Sequence, residues 1–171
     1  MSVDERMVHD IVQKVMANMQ ISGSVSGMHG VFKDRNDAIN ASIEAQKKVC
    51  TMTLDQREQI ISLIRKKTHE NAEILANMGV NETGMGNVGD KILKHHLTAD
   101  KVPGTEDIST FAWSGDRGLT IVEMGPFGVI GASTPATNPS ETVISNCIGM
   151  LAGGNTVVFN PHPNAKKTTI Y

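Results

Sequence analysis

With 171 residues, 39% of them hydrophobic and 20% charged, the chain has the length and balance of one globular domain with enough apolar side chains for a core. A net charge of −2, with no basic cluster denser than Arg65-Lys66-Lys67, excludes an electrostatic track for nucleic acid. No run approaches the ~18 consecutive apolar residues of a membrane span, and Asp4 and Glu5 stand where a secretory leader would be basic, so the sequence predicts a soluble, cytoplasmic protein with no membrane partner.

Residues 3–20 come first. Val8, Ile11, Val12, Val15, Met16 and Met19 recur at the spacing of one helical face, with Asp4, Arg6, Asp10, Gln13, Lys14 and Asn18 opposite, which predicts an amphipathic helix. The Gly- and Ser-rich stretch after it predicts a flexible linker over residues 21–33. The helix is read either as a core helix that folds back or as a docking helix for a partner's groove.

Asp34 is a candidate N-cap for a helix through Val49, and Thr53-Leu-Asp-Gln56 is a capping-box sequence that opens a longer one. Its expected buried stripe is Leu54, Ile61, Ile64, Thr68, Ala72 and Leu75, with Arg57, Glu58, Lys66 and Glu70 in water and an end near Met78-Gly79. The glycine-rich stretch Glu82-Thr-Gly-Met-Gly-Asn-Val-Gly89 follows no apolar strand and precedes no GK[ST], so it predicts a helix–helix connection rather than a phosphate loop. A short helix from Asn87 to Leu97 should stop before Pro103-Gly104. On it, adjacent His95 and His96 project to different faces without a third ligand and are expected to be surface histidines. Phe111-Ala-Trp113 and Leu119-Thr-Ile-Val-Glu-Met124 flank turn residues and predict a β-hairpin.

The last section carries the chemistry. An apolar strand from Phe127 to Ser133, a turn Thr134-Pro-Ala-Thr-Asn138, a helix from Pro139 to Leu151, the pair Gly153-Gly154 and a strand from Asn155 to Phe159 make one βαβ unit. Val143, Ile144, Cys147, Ile148 and Leu151 are expected to face the sheet. Asn160-Pro-His-Pro-Asn164 then turns into a further helical segment over residues 165–171. The second strand offers an unpaired edge along Val157-Val-Phe159, a predicted association site.

Ligands of open α/β sheets bind beyond the carboxyl ends of the strands, so residues 134–138 and 160–164 should line one crevice. The first amides of the Pro139 helix add a positive end suited to a phosphate, a carboxylate or a developing oxyanion. Asn138 is either the N-cap of that helix or a catalytic amide, and Thr137 is the alternative polar group of the turn. His162, held between two prolines, is either a cofactor contact or a loop histidine beside a helix start. The two cysteines, Cys50 and Cys147, lack the spacing of a disulfide scaffold or zinc module. Cys147 falls in an apolar stripe and Cys50 has no local histidine to activate it, so neither is expected to be a nucleophile, and no metal site is expected.

Gly125-Pro-Phe-Gly-Val-Ile-Gly131, Thr134-Pro-Ala-Thr-Asn-Pro139, Gly153-Gly-Asn-Thr-Val-Val-Phe159 and Pro161-His-Pro163 followed by Ala165-Lys-Lys167 resemble the CoA-acylating aldehyde dehydrogenases, most nearly the acetaldehyde/propionaldehyde type of bacterial microcompartments. The resemblance runs from about Asp34 to the end. It implies a partial α/β aldehyde dehydrogenase fold: N-terminal helices within the cofactor-binding domain over residues 34–109, an oligomerisation hairpin over 110–124, and the first, incomplete Rossmann-like βαβ unit of the NAD/CoA-binding domain over 125–171.

The implied reaction is aldehyde plus CoA plus NAD to acyl-CoA plus NADH. A cysteine attacks the aldehyde, hydride passes to the nicotinamide, and CoA resolves the thioester. Relatives carry a Pro-x-Asn turn whose asparagine binds the oxyanion; Thr137 or Asn138 takes that place here. Ser133, Thr134, Pro135, Ala136, Asn160, Pro161 and His162 are the implied cofactor contacts, with Asn160-Pro161 where many relatives have Lys-Pro. The family's nucleophilic cysteine is expected beyond Tyr171, so this chain alone should not turn over. The resemblance also favours residues 3–20 as an encapsulation helix for shell or cargo proteins of a microcompartment lumen, and a homo-oligomer for the complete enzyme. The competing expectations are a non-catalytic targeting or assembly module and a free-standing nucleotide-binding domain.

Overall fold

The computed structural model describes residues 29–171, and the chain divides into two compact units, Met1–Ala41 and Ser42–Tyr171. The amphipathic pattern of residues 3–20 and most of the linker lie outside the described residues. Asp34 Oδ1 accepts from the Asn36 amide at 2.7 Å and opens helix α1 (Arg35–Val49), as its capping signal predicts.

The second unit is built on helix α2 (Leu54–Thr83), which opens on the predicted capping box: Thr53 accepts from Gln56 N, and Gln56 reaches back to Thr53 N. The helix does not stop at Gly79. It runs one turn further to Gly84, whose φ of +68° supplies the left-handed cap. Gly79 is instead a buried helical position against the stem of Lys91 and the methyl of Thr168. The residues after it, Val80 to Thr83, continue the helix, and Glu82 gains a distant role: its carboxylate accepts from the amides of Lys167 and Thr168 and from the Thr168 hydroxyl. Burial raises that carboxyl, but the Thr168 and Lys167 hydrogen bonds outweigh it and hold the group below the usual carboxylate range.

A methyl group at Gly79 would sit 3.8 Å from its nearest neighbours, an ordinary contact, in a helical backbone. Gly79→Ala is therefore expected to stabilise the protein by about 0.5–1 kcal/mol through helix propensity and a less free unfolded chain. A denaturant melt in which the midpoint moves down instead would show that the Lys91 stem needs the missing volume.

Of the stripe expected on α2, Ile61, Thr68, Ala72 and Leu75 are buried and Ile64 is partly so, whereas Leu54 in the first turn is exposed. Arg57 and Glu58 are not wet as expected. Arg57 donates from Nη1 to the carbonyl of Ala152 at 2.7 Å, and Glu58 accepts from Thr105. Their partners come from distant segments that periodicity along one helix cannot reveal.

The stretch around Gly84–Gly86 connects α2 to helix α3 (Val88–Lys101), with Asn87 accepting from Asp90 N as N-cap. Arg65 caps the far end of α3, donating to the carbonyls of Ala99 and Val102 and pairing with Glu106. The hairpin forms as predicted: β1 (Phe111–Gly115) pairs antiparallel with β2 (Gly118–Val122), Phe111 opposite Val122, around a two-residue turn. Every residue of both strands is exposed, Phe111, Trp113, Leu119 and Ile121 among them.

The βαβ unit also forms. Strand β3 (Val129–Ser133) and strand β4 (Thr156–Asn160) pair in parallel, Val129 with Thr156 through Ser133 with Asn160, across helix α4 (Pro139–Ala152). Gly154, at φ +79°, makes the turn into β4 where a Cβ would approach Arg57 Nη1 to 3.1 Å. Asn155 then fastens the two strand starts, accepting from the amides of Phe127 and Gly128. A 3₁₀ turn (Pro163–Ala165) leads into the short helix α5 (Lys166–Ile170).

The apolar stripe of α4 also packs on α2. Ile148 and Ala152 form the buried cluster with Ile61 of α2, joined by Ile64, Val102, Ile108, Ile144 and Leu151. Ile144, Ile148 and Leu151 therefore contribute to a core shared with α2 and with Val102 and Ile108.

Candidate functional site

The parallel pairing of β3 and β4 dictates where their following turns begin. Ser133 stands beside Asn160, and the Thr134 amide donates to the Asn160 carbonyl at 3.1 Å, so both turns leave the same edge side by side. Ser133, Pro135 and Asn160 are exposed there, Pro161 is partly covered, and Thr134 and Ala136 are buried. The Thr134 hydroxyl is buried and has no hydrogen-bond partner among the described residues. His162 is exposed, and its Nδ1 accepts from the Asn164 amide, so the ring caps the 3₁₀ turn and leaves Nε2 without a partner among the described residues.

The turn that enters α4 is held from outside the βαβ unit, by α3. Lys91, only 4% exposed, donates from Nζ to the Thr137 carbonyl at 2.8 Å and pairs with Glu141 Oε1 at 3.3 Å. Lys94 donates to Asn138 Oδ1 at 2.9 Å. His95 lies 2.7 Å from the Lys91 carbonyl through Nδ1 and 2.8 Å from the Ser140 hydroxyl through Nε2. A carbonyl only accepts, so Nδ1 carries a proton, and in the neutral ring Nε2 accepts from Ser140. Ser140 also lies 3.3 Å from Glu141 Oε2, which closes a ring of buried polar groups.

These contacts correct two sequence expectations. His95 is not a surface histidine but fully buried, because the polar first turn of α4 gives both ring nitrogens partners. His96 is partly covered: it stacks on His69 at 4.9 Å, and His69 bonds to Asp100 at 2.8 Å. Asn138 does not cap α4 with its side chain, since the amide oxygen is taken by Lys94 and only the Asn138 carbonyl enters the helix, accepting from Thr142 N. Among the described residues, no group of three or more His, Cys, Asp or Glu side chains is placed to hold a metal ion.

Lys91, Lys94, His95 and Glu141 were missed as site residues. The signal for the first three was their i, i+3, i+4 spacing, which sets them on one face of α3. Beside that face lies an open groove of about 860 Å³, walled by Met85, Leu93, Leu97 and the Thr137-Asn138 turn; Asn160, Pro161 and His162 lie outside it. Chemically, the arrangement presents a polar turn at a helix N-terminus, braced by two ammonium groups, beside two exposed strand ends. That suits an anion or a developing oxyanion.

The two cysteines differ in exposure. Burial pushes the Cys147 thiol up to about 11, so it stays protonated near neutrality. Cys50 is exposed, and among the described residues its sulfur meets only the Gln46 amide, at 3.2 Å.

The sequence pattern of the aldehyde dehydrogenase family matches residues 16–171. The chain is similar to the acetaldehyde dehydrogenase (acetylating) of Bilophila wadsworthia, 46% identical over 174 residues that take in 96% of this chain and 36% of that protein. Among solved structures it is similar to a propionaldehyde dehydrogenase from the Clostridium phytofermentans fucose utilisation bacterial microcompartment, with 74% identity and a TM-score of 0.79 over 82% of this chain and 32% of that one. It is also similar to the Rhodopseudomonas palustris propionaldehyde dehydrogenase solved with bound propionyl-CoA, with 46% identity and a TM-score of 0.79 over the same shares. The chain thus spans about a third of the length of these relatives. The likenesses bear out the resemblance read from the Thr134–Lys167 motifs, and with it a partial α/β fold of that kind.

Proposed function

The chain belongs to the aldehyde dehydrogenase family, and on that premise we propose that the whole protein to which it contributes is an NAD-dependent, CoA-acylating oxidoreductase that converts a small aldehyde to its acyl-CoA. The observation that carries this reading is the similarity, over nearly the whole chain, to a relative named for acetylation. Burial holds the Cys147 thiol at about 11 and the Cys50 sulfur meets only the Gln46 amide among the described residues, so in this reading the nucleophile is a cysteine of the whole protein outside this chain.

NAD accepts hydride and the CoA thiol receives the acyl group when these partners are bound. The polar edge fits such groups: among the described residues the buried Thr134 hydroxyl, the exposed Ser133 and Asn160 side chains beside it and the Nε2 of His162 have no protein partner. Ser133, Thr134, Pro135 and Ala136 on one turn, and Asn160, Pro161 and His162 on the other, would hold the shared nucleotide portion. Asn138, with Thr137 as the alternative, would bear the charge that develops on the aldehyde oxygen under attack. Its freedom from helix capping favours Asn138.

Removing one such donor costs roughly 10²–10³-fold in kcat. Asn138→Ala in the whole protein is expected to lose that much NADH formation with little change in KM for NAD. The reaction class is tested by following NADH and thioester together: NADH formed without CoA, to give free acid, would sink the acylating assignment.

A second reading concerns residues 3–20, favoured by a relative that comes from a microcompartment. Their apolar stripe Val8/Ile11/Val15/Met19 would direct the protein into the lumen by docking on a shell or cargo protein. Deleting residues 2–20 should abolish co-purification with shells while leaving the CoA-dependent rate intact, and undiminished co-purification would remove the role.

A further inference from the structure

We propose that Lys94 is a positioning residue that sets which half of the Asn138 amide is offered to the reacting oxygen. The proposal rests on Asn138 as the oxyanion donor and adds the group that aims it. The Lys94 ammonium lies 2.9 Å from Asn138 Oδ1. An ammonium has three donors and no acceptor, so only the amide oxygen can face it, and the NH₂ half must point away. An asparagine amide free to rotate would spend part of its time presenting its oxygen to a growing negative charge, which repels it. Lys94 removes that orientation. Its positive charge on the oxygen also polarises the amide and strengthens the two N–H donors opposite.

The backbone under the amide is fixed by the same helix. Lys91 grips the Thr137 carbonyl three residues earlier on α3, so the turn is held at two adjacent points, one main-chain and one side-chain. The two lysines differ in one respect that separates their duties. Lys91 is buried and paired with Glu141, whereas Lys94 is exposed and its ammonium makes no other polar contact among the described residues. The fold does not depend on Lys94 for a buried charge, and the bond to Asn138 is the evident use of its ammonium.

The test is a double-mutant cycle in the whole enzyme with Lys94→Met, Lys94→Arg, Asn138→Ala and the Lys94→Met/Asn138→Ala pair, reading kcat, KM for NAD and thermal midpoint. Lys94→Met is expected to lower kcat roughly ten- to a hundredfold with KM and midpoint nearly unchanged. Lys94→Arg, which keeps a donor, restores most of the rate. In the Asn138→Ala background Lys94→Met has no further effect, because its target is gone. If Asn138→Ala loses rate while Lys94→Met does not, or if Lys94→Met costs as much without Asn138 as with it, the positioning role is overturned and the oxyanion reading survives. If Asn138→Ala leaves kcat unchanged, the oxyanion reading falls and this proposal with it.

Discussion

Replacing Lys91 with methionine should lower the stability of the protein by about 3–5 kcal/mol, which for a chain of this size is a fall in Tm of roughly 10 °C. The size follows from what the substitution leaves behind. Lys91 and Glu141 have side chains 5% and 6% exposed, so neither exchanges its partner for water. Methionine fills most of the lysine volume against Gly79, but it strands the Glu141 carboxylate and the Thr137 carbonyl without their ammonium. Ser140 can satisfy one carboxylate oxygen only by giving up the hydroxyl proton that His95 Nε2 uses. The loss therefore spreads round the ring instead of staying at one bond. Adding Glu141→Gln to Lys91→Met should recover part of the loss, since the buried charge is then removed rather than orphaned. A single substitution costing under about 1 kcal/mol would mean that water reaches Glu141 once the lysine is gone.

The same ring marks the boundary of what sequence periodicity reads. The capping box at Thr53, the two-residue hairpin turn after Gly115, and the strand–helix–strand order from Val129 to Asn160 depend on neighbours within a few positions, and each formed as its local pattern required. Gly79 and His95 did not follow their local signals, because their environments are set by Lys91, Thr168 and Ser140, which arrive from other elements. Asn138 shows the limit within the site itself. Asn-Pro-x-Glu is a sound helix-start sequence, yet an ammonium forty-four positions earlier takes the side-chain oxygen that would have capped the helix. The motif located the turn; the tertiary partner decided what the amide does there. The exposed hairpin illustrates the converse, since its strands were legible while nothing in their alternation separates a covered face from an open one, and all ten residues lie open.

Ile148→Ala should cost about 4 kcal/mol, toward the upper part of the 2–5 kcal/mol range for removing a buried isoleucine. Ile148 has no exposed surface and sits between Ile61 and Ala152, with Ile64, Val102, Ile108, Ile144 and Leu151 around it. What decides the cost is whether those walls can close on the space, and the polar braces at their edges oppose it. Arg57 of α2 is bonded to the Ala152 carbonyl at the end of α4, and Arg65 holds Val102 through its carbonyl at 2.9 Å. With the spacing of α2, α4 and the segment after α3 pinned in this way, the cavity persists. Ile148→Val, which removes one methylene, should cost only about 0.5–1.5 kcal/mol. Combining Ile61→Ala with Ile148→Ala should cost less than the sum of the two, because the two side chains line one space and the second deletion enlarges a void already present. Chemical denaturation of the three variants measures this directly, and strict additivity would show that the two isoleucines occupy separate pockets on either side of α4.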